Sequence, residues 1–143
     1  MKIIIYIPVP DDFNFDQMEK FYKENLFFYE SPDYVGLLHP NLSSDIKIQL
    51  MSDHQHVKKK SKDSLPLFVL CLEKNFLSFC NSLHQKNITF FTAVTHPGGY
   101  YADFLDPVGN LIGLSCESWE EDVIDVKHYR DLCASFTIPL PKS

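Results

Sequence analysis

The chain has 143 residues, 45% hydrophobic and 22% charged, which supports one compact core and excludes a disordered polymer. Its formal net charge of −6 argues against a nucleic-acid partner, which needs a basic face. The four cysteines, Cys71, Cys80, Cys116 and Cys133, form no CxxC pair, so neither a zinc knuckle nor a thioredoxin motif is present.

In chain order, Ile3–Ile7 is an apolar, β-branched-rich run that predicts a first strand ending at Pro8-Val9-Pro10. The run is too short for a signal h-region or a membrane span. The expectation is therefore a cytoplasmic protein, with no membrane partner and with reduced, buried thiols. Asn14 followed by Gln17 predicts an N-cap, and Met18, Phe21, Tyr22 and Leu26 keep helical spacing behind it. Three short strands are predicted near Leu26–Glu30, Tyr34–Leu38 and Asp45–Met51, separated by turns at Ser31-Pro32-Asp33 and His39-Pro40-Asn41.

The polar stretch 53–64 reads as a linker, and its basic run Lys58-Lys59-Lys60 with Lys62 as a solvated loop. His54 and His56 lie in the same stretch with no acidic or thiol partner at a set spacing, so they read as adventitious rather than as a metal pair. The pattern then restarts. Pro66–Leu72 predicts a strand, and Asn75 caps a helix carrying Phe76, Phe79, Cys80 and Leu83. Ile88–Phe91, Tyr100–Leu105 and Asn110–Cys116 predict three more strands. Asp106-Pro107-Val108-Gly109 is turn chemistry before the last of them: Asp opens, Pro pre-sets φ, Gly closes. Ser118 and Glu121 form a capping box for a C-terminal helix from about Trp119 to Ala134.

The fold expectation is thus α+β: two βαβββ modules, 1–52 and 65–117, joined by the linker and followed by a helical tail, 118–143. Ile4 aligns with Leu67 and Ile48-Gln49-Leu50 with Ile112-Gly113-Leu114, offsets of 63 and 64. No nucleophile elbow, P-loop or Rossmann glycine pattern occurs. Asp103 and Glu117 are the carboxylates nearest the strands that could serve acid–base chemistry, with no paired arrangement evident.

The paired repeat, the Asp106-Pro107-Val108-Gly109-Asn110 turn, the Val9-Pro10-Asp11 exit and Phe21-Tyr22 ahead of Leu26-Phe27 resemble the vicinal oxygen chelate superfamily. That group holds glyoxalases, extradiol dioxygenases and bleomycin-resistance proteins. The resemblance spans roughly residues 2–117 and implies an open cup-shaped mixed sheet with helices outside, often completed by a homodimer. In the family's enzymes, His and Glu on first and last strands hold a metal. The matching positions here are Ile4, Gln49, Leu67 and Gly113. Three cannot coordinate, and one neutral amide does not hold a divalent cation. The resemblance is therefore closest to the metal-free, bleomycin-resistance-like branch. It implies no metal, no cofactor and no catalytic residue.

Strand alternation around those four positions predicts a lining of Tyr6, Lys47, Gln49, Met51, Val69 and Ser115, with Trp119 at the mouth. The implied function is binding of an apolar or aromatic small molecule, for sequestration or sensing of the antibiotic-resistance type. The alternatives are a lyase, isomerase or dioxygenase-like enzyme with an atypical site, and an interaction module that has lost its pocket.

Overall fold

The computed structural model describes residues 1–32, 36–40, 45–53, 65–88, 90–96 and 98–118. The predicted C-terminal helix with Trp119 and Cys133, and His54, His56 and the lysine run, lie outside the described residues. The chain divides into two compact units. Unit 1 holds Met1–Lys59 together with Asp106–Asn110, and unit 2 holds Lys60–Leu105 with Leu111–Ser143.

Unit 1 contains β1 (Ile3–Val9), α1 (Phe15–Asn25), β2 (Tyr29–Glu30), β3 (Leu37–His39) and β4 (Ile46–Ser52). Unit 2 contains β5 (Phe68–Cys71), α2 (Phe76–Gln85), β6 (Phe90–His96), β7 (Gly99–Leu105) and β8 (Leu111–Cys116). Each builds a four-stranded mixed sheet of the same topology, β1-β4-β3-β2 and β5-β8-β7-β6. The parallel pairs Tyr6↔Gln49 and Val69↔Gly113 occupy equivalent places, so the 63- and 64-residue offsets read from the sequence are the offsets of the two sheets.

In unit 1 the Asn14 side chain accepts the Asp16 N–H at 2.8 Å and starts α1. Met18, Phe21 and Tyr22 on the helix are buried, as are Ile7, Val9, Ile48 and Leu50 on alternate sheet positions. Each such side chain contributes about 1.5–3 kcal/mol of burial. In unit 2 the corresponding core is Phe76, Leu77, Cys80 and Leu83 against Tyr100, Phe104, Ile112 and Leu114. Phe76 stacks on Tyr100 at 5.1 Å, and Phe90 meets Phe104 edge-on at 5.7 Å.

Three local expectations are corrected. The second strand begins at Tyr29 rather than Leu26, because Phe27 takes a left-handed φ of 61° and Phe28 N–H reaches back to the Tyr22 carbonyl at 3.0 Å. Asn75 stands at the start of α2 but makes no side-chain cap; it sits at φ 62°, which asparagine tolerates, and its carbonyl accepts from Phe79 N–H. The strand expected at Ile88–Phe91 runs Phe90–His96 instead, since Ile88 N–H still closes the helix end on Leu83 at 3.1 Å.

The Asp106–Asn110 turn belongs to unit 1 although the flanking strands belong to unit 2. Asp106 is a buried hub: its carboxylate accepts from Tyr22 OH at 2.9 Å, Asn110 Nδ2 at 2.8 Å, Asn110 N–H at 2.8 Å and Val108 N–H at 3.0 Å. Asn110 Nδ2 also donates to the Pro8 carbonyl at 3.0 Å. Burial pushes the Asp106 carboxyl above its ordinary value, and the bonds from Asn110, Tyr22 and Val108 oppose that rise. Burial first, then the adjacent carboxylate, raises the Tyr22 phenol well above the usual tyrosine range. This turn is a structural lock.

Candidate functional site

Each sheet has one face buried and one open. On the open face of unit 1, Ile4 pairs with Lys47, Tyr6 with Gln49, and Pro8 with Met51. Directly paired residues point to one side, so Tyr6, Lys47, Gln49 and Met51 share a face, as strand alternation predicted. Tyr6 and Met51 are exposed, while Lys47 and Gln49 are half-buried. Gln49 Nε2 donates to the Leu50 carbonyl at 3.0 Å, which steadies the amide along its own strand.

On the open face of unit 2, Leu67, Val69 and Cys71 line β5 and its entry, and Gly113 and Ser115 line β8. Cys71 is exposed rather than buried, because it points to this uncovered side; Cys80 and Cys116 are buried as expected. Ser115 Oγ donates to Cys71 Sγ at 3.2 Å. Beyond the strand ends, Cys71, Leu72, Glu73, Glu117 and Ser118 surround a hollow of about 420 Å³. The described residues contain no group of three His, Cys, Asp or Glu side chains that could hold a metal ion.

One neighbour on this face, Tyr101, went unassigned in the sequence, and the other, Asp103, was named there only as a possible acid–base carboxylate. The register Tyr101↔Ser115 and Asp103↔Gly113 puts Tyr101 and Asp103 beside the glycine. A Cβ at Gly113 would stand 3.0 Å from Val69 Cγ2 and 3.3 Å from the Tyr101 hydroxyl. Gly113 is thus roofed by Tyr101 and flanked by Val69, and the missing side chain leaves room for that packing. Tyr101 donates to Asp103 Oδ2 at 3.1 Å. The available signal was polar residues at 101 and 103 alternating with buried Tyr100, Ala102 and Phe104 along β7.

Electrostatically the pair is tense. Burial raises the Asp103 carboxyl above its ordinary value, with Tyr101 and Thr92 pulling the other way. Burial, then the negative charge and hydrogen bond of Asp103, push the Tyr101 phenol up to about 12. A folded-state value above the unfolded 10.0 means that the stability this hydroxyl contributes is present below pH 10 and is lost as pH rises towards 12. An ultraviolet phenolate titration of the wild type should show Tyr101 ionising near 12, separate from Tyr22, which burial also raises. Asp103→Asn should bring it down, and an unmoved titration would contradict the coupling.

No protein-family model and no curated protein matches the chain. Solved structures do. TnmS3, an antibiotic binding protein from Streptomyces sp. CB03234, is 21% identical, with 82% of this chain and 98% of that chain covered and a TM-score of 0.61. A glyoxalase/bleomycin resistance protein from the same Streptomyces strain is 21% identical, with 80% and 99% covered and a TM-score of 0.60. A member of the glyoxalase/bleomycin resistance protein/dioxygenase superfamily from Sphaerobacter thermophilus DSM 20745 is 17% identical, with 82% and 97% covered and a TM-score of 0.60. At these identities the likeness establishes a shared fold.

Proposed function

From a fold shared with glyoxalase and bleomycin-resistance proteins, we propose that this chain binds an apolar or aromatic small molecule on the open sheet faces, without a metal ion, to sequester or sense it. The observation that carries the reading is the exposed apolar surface on both faces. Tyr6 is 59% exposed and Met51 45% exposed on one, and Val69 41% and Val94 46% on the other. Isolated exposed apolar side chains are ordinary, whereas rows of them on a sheet face mark a binding surface.

The chemistry at the four metal-equivalent positions agrees. Ile4, Leu67 and Gly113 supply no donor, and Gln49 supplies one neutral amide. The antibiotic-binding neighbour makes an antibiotic a reasonable ligand class. Gln49 and Lys47 are the polar handles of the unit 1 face, Ser115 that of the unit 2 face, and a homodimer would enclose the ligand further.

A thermal-shift series with planar aromatic antibiotics tests the reading. A ligand present at about one hundred times its Kd stabilises the folded state by roughly 2.7 kcal/mol and raises Tm accordingly. The effect should weaken in Tyr6→Ala and Gln49→Ala. A flat response to every aromatic compound would remove the proposal's support.

A further inference from the structure

Asp103 is 7% exposed, and its Oδ1 is buried with no hydrogen-bond partner. A carboxylate costs stability when buried, and more so when one oxygen goes unsatisfied. Among the described residues, the groups acting on this carboxyl are the neutral donors Tyr101 and Thr92. Both donate hydrogen bonds to it, and the Tyr101 proton is committed to Asp103 Oδ2. A phenol hydroxyl has one proton and two acceptor lone pairs, so Tyr101 oxygen is left to accept, with a negative charge behind it.

The surroundings make that oxygen a recognition point. Val94 pairs with Tyr101, and Val69 lies beside Gly113 under the Tyr101 hydroxyl. Both valines are exposed and Tyr101, paired on its other side with Ser115, is half-buried, so the phenol has apolar neighbours on two sides. Such a setting strengthens a hydrogen bond to a donor and penalises an acceptor or anion. The raised Tyr101 pKa keeps the hydroxyl neutral throughout the physiological range.

We infer that Tyr101, held in place by Asp103, selects ligands that present an N–H or O–H donor beside an aromatic ring, cationic nitrogen foremost. This rests on the proposed reading of the open faces as a ligand site. Tyr101 is the contacting group, Asp103 a positioning residue acting through it, and Gly113 the residue whose missing side chain makes room for the phenol.

The test is calorimetric titration with two probes sharing one ring system, 1-naphthylmethylamine and 1-naphthylacetate. Wild type should prefer the amine by about tenfold or more, the scale of one hydrogen bond to a charged group. Tyr101→Phe and Asp103→Asn, both conserving shape, should each abolish most of that preference while leaving acetate binding within about twofold. A merely structural role for Asp103 would weaken both probes together, which would overturn the inference. Equal affinity for the two probes, preference for the acetate, or a preference that survives both substitutions would overturn it too and leave the face as a ligand site. Binding of neither probe would sink both the inference and the reading beneath it.

Discussion

Asp106→Ala is expected to destabilise the protein by about 3–5 kcal/mol, the range for breaking a buried charged network. The carboxylate accepts four hydrogen bonds, and its loss strands the hydroxyl of Tyr22, which is wholly buried, and the amides of Val108 and Asn110. Each buried donor left unsatisfied costs about 1–3 kcal/mol. Asn110 Nδ2 keeps the Pro8 carbonyl, so that donor is only partly stranded. Against a total stability of about 5–15 kcal/mol, such a loss leaves the fold marginal, and Tm should drop by roughly 10–20 °C. Tyr22→Phe removes one of the four bonds and should cost about 1–3 kcal/mol. Urea denaturation of the two variants gives the ratio. If Asp106→Ala cost less than Tyr22→Phe, the turn would not be the lock described above.

Gly99→Ala should be at least as damaging. A Cβ there would lie 2.1 Å from the Cys116 carbonyl oxygen and 3.1 Å from the Ser118 amide nitrogen, on a residue at φ 156°. Both obstacles are backbone, and the next residue pairs Tyr100 with Cys116 in the β7–β8 ladder. Retreat of either strand would also unseat Tyr100 from Phe76, on which it stacks at an interplanar angle of 11°. We expect a loss of about 3 kcal/mol or more, read as a sharp fall in folded yield and in the urea midpoint.

Gly113→Ala provides the contrast, because its added Cβ would meet side-chain atoms of Val69 and Tyr101 that can shift by a few tenths of an ångström. Its cost should stay near 1 kcal/mol, the lower end for overpacking. Equal damage from the two alanines would mean that β8 is no more yielding at Gly113 than at the Gly99 contact.

How much of this was legible depended on whether the cause was local. Asn14 caps α1 through its own side chain, two residues from the amide it accepts, and the sequence pattern identified it. Asn75 occupies the same place ahead of α2 with the same residue type, yet its side chain makes no cap and it takes a left-handed φ. Asparagine suits both roles, and the choice depends on how the chain arrives from β5. Phe27 is harder still: an aromatic residue gives no warning of a positive φ.

The candidate lining shows the same division. Strand alternation was enough to put Lys47, Gln49 and Met51 on one side, because period two is a property of the backbone, and the β1–β4 register brings Tyr6 to join them. Alternation could not find Tyr101, which matters only because β7 lies next to β8 and sets its phenol over Gly113.

By itself, the sequence determined the duplicated βαβββ order, the 63- and 64-residue offsets and the turn at Asp106. These follow from periodicity, turn chemistry and residue type. Only the tertiary structure decided what those features do. Asp106 is a hub for Tyr22 and Asn110, Gly113 is a berth for Tyr101, and Asp103 is a buried carboxylate with an oxygen unpaired. Each depends on a neighbour brought close by strand pairing or helix packing.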